Sequence, residues 1–406
     1  MIVLHVWVIL PDAECVHAGD LAFSEPDVHG RCESEFEYTE GWLRRSHAFD
    51  LDPESLRRSA GRIRYRGMNL QPPLAVFEDS LPDDWGRRLL VFDRKLPRGA
   101  QGEPYLLREL GADVLGALAY SEAGSPAHSR ENASTVHLAE LVEAAERFEA
   151  GKPGARARLR RLLEAGSTPG GARPKALVAT EDGEWIAKFP SRNRDGRFDV
   201  VGLEAAIMAL AGKAGLDVPE TRLVRAGNKR VLLVRRFDVT PRGGRRHMIS
   251  LKTLCKERPG LYVLTYGEVA TAIRKHSAAP QEDVNAFFRH MAFNALVGNT
   301  DDHLKNFWML HDGHGFRLSQ AFDLLPDVGE RKEHALAFAG NQRAPSRAEL
   351  LALGKTWGVK GAAEMLAAAA DATRGFRRVA RKLGVAEGNV AQIGADLDRR
   401  RARCAG

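Results

Sequence analysis

Two aspartates and an asparagine carry the first chemical signal in this chain of 406 residues. The stretch Gly298-Asn299-Thr300-Asp301-Asp302-His303-Leu304-Lys305-Asn306 sets an acid and an amide five residues apart. Phe322-Asp323 adds a further acid downstream. Phosphoryl transfer needs these types in this order. One carboxylate accepts the proton of an attacking hydroxyl, while an amide oxygen and another carboxylate hold Mg²⁺ against the phosphates. Asp301, Asn306 and Asp323 fit those three roles. The competing reading of D-x-x-x-x-N by itself is an Asx-rich turn, so the assignment rests on the elements that would position it.

Those elements are present. Glu164-Ala-Gly-Ser-Thr-Pro-Gly-Gly-Ala-Arg-Pro-Lys175 reads as a glycine-rich loop, in which Gly166, Gly170 and Gly171, with Ala172, let backbone N–H groups approach a phosphate. A strand from Ala176, a turn at Glu181-Asp182-Gly183 and a second strand ending in Lys188 follow. A lysine there reaches the α- and β-phosphates in protein kinases. Glu204 opens an apolar-periodic segment that reads as a helix ending near Gly215, and its carboxylate is the expected partner of Lys188. Thr221–Ala226, the turn Gly227-Asn228 and Arg230–Asp238 read as another hairpin, after which Arg235, Arg236 and Phe237 fall where a kinase hinge would offer hydrogen bonds to adenine.

These pieces together resemble the HipA family of bacterial serine/threonine kinases, toxins of type II toxin–antitoxin systems. The resemblance rests on Gly171-Ala-Arg-Pro-Lys175, Ile186-Ala-Lys188-Phe-Pro, Glu204 with Gly215-Leu-Asp-Val-Pro219, Arg236-Phe237-Asp238, Asn299–Phe307 and Phe322-Asp323. Towards the N-terminus it also rests on Ser80-Leu-Pro-Asp-Asp84 and Leu110–Leu118. It implies Asp301 as catalytic base, Lys305 as a charge-balancing group, Asn306 and Asp323 as Mg²⁺ ligands, and ATP as phosphoryl donor. Lys188, Glu204, Gly170, Gly171, Ala172, Arg235 and Phe237 would serve the nucleotide, and His303 would position the loop. The founding toxin has an acidic hinge residue where Arg235 stands. The family autophosphorylates a hydroxyl in its glycine-rich loop. Thr168 aligns with that position and Ser167 is its neighbour; added negative charge beside the nucleotide phosphates would expel the loop. A translation factor such as an aminoacyl-tRNA synthetase is the implied substrate, and a DNA-binding antitoxin of HipB type the implied partner, with DNA contacted mainly through it.

The expected fold is α+β: a bilobal protein-kinase-like arrangement, strand-rich small lobe and helical large lobe, with an N-terminal β-rich subdomain. The boundaries read as 1–125 for that subdomain, 126–165 for a linker and helix, 166–240 for the small lobe and 241–406 for the large one. Short strands are expected at Phe36–Tyr38, Leu74–Phe77 and Ala117–Tyr120, and a helix near Trp85. The apolar run Met1–Leu10 alternates like a strand and lacks a basic n-region, so it reads as the first strand and not as a signal peptide. With no apolar run of membrane-spanning length, a cytoplasmic protein without membrane contact is expected. Cys15, Cys32, Cys255 and Cys404 show neither C-x-x-C spacing nor a metal-binding pattern, which fits a reduced compartment. The net charge of +7 and pI near 9.3 invite a nucleic-acid reading, with Arg156–Arg161 and Arg399–Arg403 as its basic runs. Solvated helix faces account for such runs as well. Two other functions fit parts of the pattern. A small-molecule phosphotransferase of aminoglycoside- or choline-kinase type usually carries a histidine where Asn299 stands, and a nucleotide-binding pseudokinase would lack the full set of Lys188, Asp301, Asn306 and Asp323.

Overall fold

The structure is a computed structural model that describes residues 2–25, 27–29, 32–66, 74–126, 133–134, 138–152, 173–257, 262–328 and 333–406. Two compact units divide the chain. The first comprises 1–191, 236–249 and 310–315, the second 192–235, 250–309 and 316–406.

The first unit is built on an antiparallel sheet of five strands, β1 (Ile2–Ile9), β2 (Cys15–Phe23), β3 (Glu33–Tyr38), β4 (Arg62–Arg66) and β5 (Leu118–Ser121), in the order β4-β3-β2-β1-β5. Alternation in β1 buries Leu4, Val6 and Val8 on one face, as period-two patterning requires. The register between β1 and β2 slips by one residue between Val6 and Trp7, a β-bulge. The expected strand at Leu74–Phe77 is instead a 3₁₀ turn over Ala75–Ser80. Leu74, Val76, Phe77 and Leu81 are all buried. Consecutive buried side chains at 76 and 77 suit a helical turn better than a strand with one wet face, and short apolar runs do not tell the two apart. The helix near Trp85 spans Asp84–Arg94. Strand β6 (Ala133–Ser134) pairs in parallel with β7 (Lys175–Thr180), which forms a hairpin with β8 (Gly183–Lys188) through the expected turn.

Two sequence motifs far apart in the chain meet in this unit. Arg236 and Asp238 are both buried, and the Arg236 guanidinium binds Asp238 (2.6 Å) and Glu184 (2.8 Å). Asp238 accepts the backbone N–H of Gly116 (2.8 Å), while Arg245 donates to the Ala112 carbonyl (2.8 Å). Burial alone would push the Asp238 carboxyl up, but the Arg236 charge and its hydrogen bonds hold it below the ordinary range. Gly116 has φ +76 and sits against Met248, so both its conformation and its surroundings suit glycine. Arg236 and Asp238 of the Arg-Phe-Asp segment and the backbone of Ala112 and Gly116 therefore meet in one buried ion-pair cluster.

In the second unit the helix Val200–Lys213 is capped by Asp199, whose side chain accepts the Gly202 N–H, so it starts one turn before Glu204. β9 (Thr221–Ala226) and β10 (Lys229–Arg235) form the expected hairpin. The core helices are Tyr266–His276, which opens with a Thr265/Glu268 capping box, and Pro280–Val297, which buries Phe287, Phe288, Met291 and Phe293. The alanine run lies in the helix Ala362–Arg374, and the basic C-terminal runs in Phe376–Lys382 and Glu387–Ala405. Among the described residues no helix is long and apolar enough to cross a membrane. None of Cys15, Cys32, Cys255 and Cys404 forms a disulfide.

Candidate active site

The helix Pro280–Val297 stops at Gly298, which takes the left-handed conformation at φ +70. A Cβ there would lie 2.5 Å from Arg400 Nε, so a larger residue would displace that arginine side chain as well as strain the backbone. The start of the loop that follows is pinned twice: the Asn299 N–H donates to the Asn294 carbonyl (3.0 Å), and the Gly298 carbonyl accepts the Asp327 N–H (2.7 Å).

The two adjacent aspartates have opposite environments. Asp301 is exposed, whereas Asp302 is wholly buried. The Asp302 carboxylate is hydrogen-bonded to His334 Nδ1 (2.8 Å), accepts the Ala335 N–H (2.7 Å) and accepts the Tyr266 hydroxyl. Asn294 Nδ2 donates to the Tyr266 oxygen (3.4 Å) and Asn299 Nδ2 to Asn294 Oδ1 (3.2 Å). Burial, and then the Asp302 charge, push the Tyr266 phenol well above its ordinary value, so it stays a donor. Burial lowers His290 to about 4 against the opposing pull of Asp302. A buried chain from Asn299 through Asn294, Tyr266 and Asp302 to His334 thus holds the loop, with Asn299 Oδ1 and His334 Nε2 at its two ends left without a hydrogen-bond partner among the described residues. The five-residue spacing to Asn306 selects Asp301, but the structural role of Asp302 was not legible, because its partners Tyr266 and His334 lie far along the chain.

Asn306 closes a 3₁₀ turn, Leu304–Asn306, in which its backbone N–H donates to the His303 carbonyl (2.8 Å). Its side-chain Nδ2 donates to the Asp301 carbonyl (2.6 Å), which directs Oδ1, the atom able to bind a cation, away from that contact. The Lys305 carbonyl accepts the Trp308 indole N–H (2.6 Å). Beyond the short strand Phe316–Leu318, Asp323 adopts φ +55, a conformation rare for a non-glycine residue and found where backbone geometry is imposed by function. The buried Leu324 anchors the next position. An amide oxygen and a carboxylate are hard oxygen donors of the kind Mg²⁺ takes, so Asn306 and Asp323 suit that ion.

Asp301, His303, Lys305 and Asn306 share this one loop, and Asp323 and Glu204 belong to the same unit. Glu204 is buried on its helix. Arg235 is held by Glu220 (2.9 Å), which also binds Arg222 (2.7 Å). Lys188 ends β8 opposite Lys175 in the first unit, where Phe237 also lies half-buried, its carbonyl accepting from Arg246 (2.7 Å). Ser167, Thr168, Gly170, Gly171 and Ala172 lie outside the described residues.

Comparison with known proteins agrees across most of the chain. Residues 167–390 match the HipA-like C-terminal domain and 15–121 the HipA N-terminal domain. Y4mE of Sinorhizobium fredii (strain NBRC 101917 / NGR234), provisionally named a kinase, is 27% identical over 337 residues, 74% of each chain. Y4dM of the same organism, likewise provisionally named a kinase, is 33% identical over 165 residues, 36% of this chain and 38% of its own. HipA in the Shewanella oneidensis MR-1 toxin–antitoxin complex with HipB and operator DNA superposes with a TM-score of 0.69 at 18% identity, covering 97% of this chain and 96% of that one. The likeness establishes an α+β, kinase-like fold, and with both domain matches the chain belongs to the HipA family.

Proposed function

We propose that this chain is an ATP- and Mg²⁺-dependent serine/threonine protein kinase of HipA type, the toxin of a toxin–antitoxin pair. The observation that carries the reading is the contrast between Asp301 and Asp302: a wholly buried, hydrogen-bonded carboxylate rigidifies the loop beside an exposed one. In this account Asp301 accepts the proton of the substrate's Ser or Thr hydroxyl as that oxygen attacks. Lys305 offsets charge on the moving phosphoryl group, and His303 shapes the turn. Asn306 Oδ1 and the Asp323 carboxylate hold the cation. Lys188 and Glu204 serve the nucleotide phosphates, as do Gly170, Gly171 and Ala172, and Arg235 and Phe237 serve the adenine. The nucleotide with its Mg²⁺ supplies the transferable phosphoryl group and neutralises its charge.

The family's implied substrate is a translation factor such as an aminoacyl-tRNA synthetase, acted on in the cytoplasm. The Shewanella complex of HipA, HipB and operator DNA supports a HipB-type antitoxin as partner; contact with DNA mainly through that partner is part of the proposal. Thr168, or Ser167 beside it, is the proposed autophosphorylation site, and the boundaries 1–125, 126–165, 166–240 and 241–406 remain our proposed domains. Asn299 argues against a small-molecule phosphotransferase: it is buried and bonded to Asn294, a support for the loop, where those enzymes usually place a histidine. Purified aminoacyl-tRNA synthetases, kanamycin and choline offered separately with ATP and Mg²⁺ test the choice. Phosphoserine or phosphothreonine on a synthetase is the expected result; turnover with kanamycin or choline alone would overturn it.

A further inference from the structure

The face of the β1–β2 hairpin carries a group of side chains that phosphoryl transfer does not use. His5, His17 and Asp20 bring three ligand atoms within 4.8 Å of one another. His5 Nδ1 is 2.6 Å and His17 Nε2 2.9 Å from the same Asp20 Oδ1, and His17 Nε2 also lies 3.2 Å from the Gly19 carbonyl. His5 and Asp20 are direct partners across the two strands. His17 and Asp20 are three residues apart, so in a regular strand they would point to opposite faces. The bulge between Val6 and Trp7 shifts the register, pairing Val6 with Gly19 but Trp7 with His17, and so turns His17 to the side of Asp20. Bulges re-aim side chains in this way beside functional sites.

The histidines are also held in orientation. The His17 ring stacks on Trp7 (centroids 4.8 Å apart, 29° between planes), and the Trp7 indole N–H donates to Ser121 Oγ (3.0 Å). His5 meets His17 edge-on at 5.1 Å. All three ligands remain partly exposed, with side-chain exposures of 28% for His5, 30% for His17 and 45% for Asp20, so an ion and water can enter.

We propose that His5 Nδ1, His17 Nε2 and the Asp20 carboxylate form a binding site for a divalent transition cation of the zinc class, with water completing the coordination. Two imidazoles and one carboxylate are the donors borderline ions prefer, and three protein ligands leave an open position. Binding needs both ring nitrogens unprotonated, so any proton either shares with Asp20 moves to the other ring nitrogen or to solvent. The site stands apart from the Mg²⁺ chemistry assigned to Asn306 and Asp323, whose oxygen donors select a harder ion.

Zn²⁺ titrated calorimetrically into the full-length protein, in a buffer that does not chelate metal, tests the site. One equivalent bound at micromolar concentration is expected, with affinity falling at least tenfold in His17→Ala and in Asp20→Asn and unchanged in His29→Ala. Co²⁺ added in place of Zn²⁺ should give visible bands without thiolate charge transfer, which separates this site from Cys15 and Cys32. Circular dichroism checks that each variant folds. Millimolar binding in the wild type, equal binding in His17→Ala, or a cobalt–thiolate signature would each overturn the proposal.

Discussion

Asp302 is the residue whose loss should be felt most, although chemistry is assigned to its neighbour. Replacing it with alanine strands the Tyr266 hydroxyl, His334 Nδ1 and the Ala335 N–H in a buried setting. Breaking a buried charged network by removing one member costs about 3–5 kcal/mol. Urea denaturation of Asp302→Ala should show a loss of that size, while Asp301→Ala, at an exposed site, should stay within about 0.5 kcal/mol of the parent. The reverse ranking would contradict the division of labour between the two acids. Buried histidines set the acid limit. Burial holds His247, His290 and His311 at about 4, with His311 adding to the shift at His247 and Asp302 opposing that at His290. The unfolded chain, with ordinary values near 6.5, therefore binds more protons between those pH values. The histidine contribution to stability should be flat above pH 7 and fall as pH drops from about 6.5 towards 4, by up to about 1.4 kcal/mol per pH unit for each histidine. A urea midpoint unchanged between pH 7 and pH 5 would contradict this.

At the scale of elements, helix ends and bulges decide where side chains point. Gly298 ends the helix Pro280–Val297 in a left-handed conformation with Arg400 against it. Gly298→Ala should cost about 1–3 kcal/mol and reduce phosphate transfer, since it disturbs the first residue of the catalytic loop. Unchanged thermal stability would contradict the packing described. Much of this scale was legible beforehand. The hairpins β7–β8 and β9–β10 announce themselves through Asp182-Gly183 and Gly227-Asn228, and β1 through its alternation. The 3₁₀ turn over Ala75–Ser80 was not, because a four-residue apolar run has no period to read. The Asp302 network was hidden for a different reason: its members come from the helices at Tyr266 and Asn294, the loop and His334, and only tertiary folding joins them. The bulge that turns His17 towards Asp20 is likewise invisible in a sequence where their spacing argues for opposite faces.

At the scale of the whole molecule, the basic runs of the C-terminal helices are locally paired with acids, while the run Arg156–Arg161 lies outside the described residues. Arg377 binds Asp398 (2.7 Å), Arg381 binds Glu387 (2.6 Å), and Arg399 and Arg400 both bind Asp396 (3.0 and 2.7 Å). These C-terminal pairs leave the excess of seven positive charges to act as a general attraction, so DNA binding by the chain alone should be indifferent to sequence and lost between about 50 and 200 mM salt. Sequence-selective binding without a partner, in an electrophoretic shift, would contradict that view. Membership of the HipA family places this chemistry in a chain matched in both its N- and C-terminal domains. The central claim is that Asp301 drives phosphoryl transfer. Its most direct test is incubation of the wild type and Asp301→Ala with γ-labelled ATP and Mg²⁺, with the label mapped by mass spectrometry and ATP binding measured in parallel. Label on Thr168 or Ser167 of the wild type only, with ATP binding retained in both, is the predicted result. Equal labelling of the two proteins, or none in the wild type despite bound ATP, would contradict it.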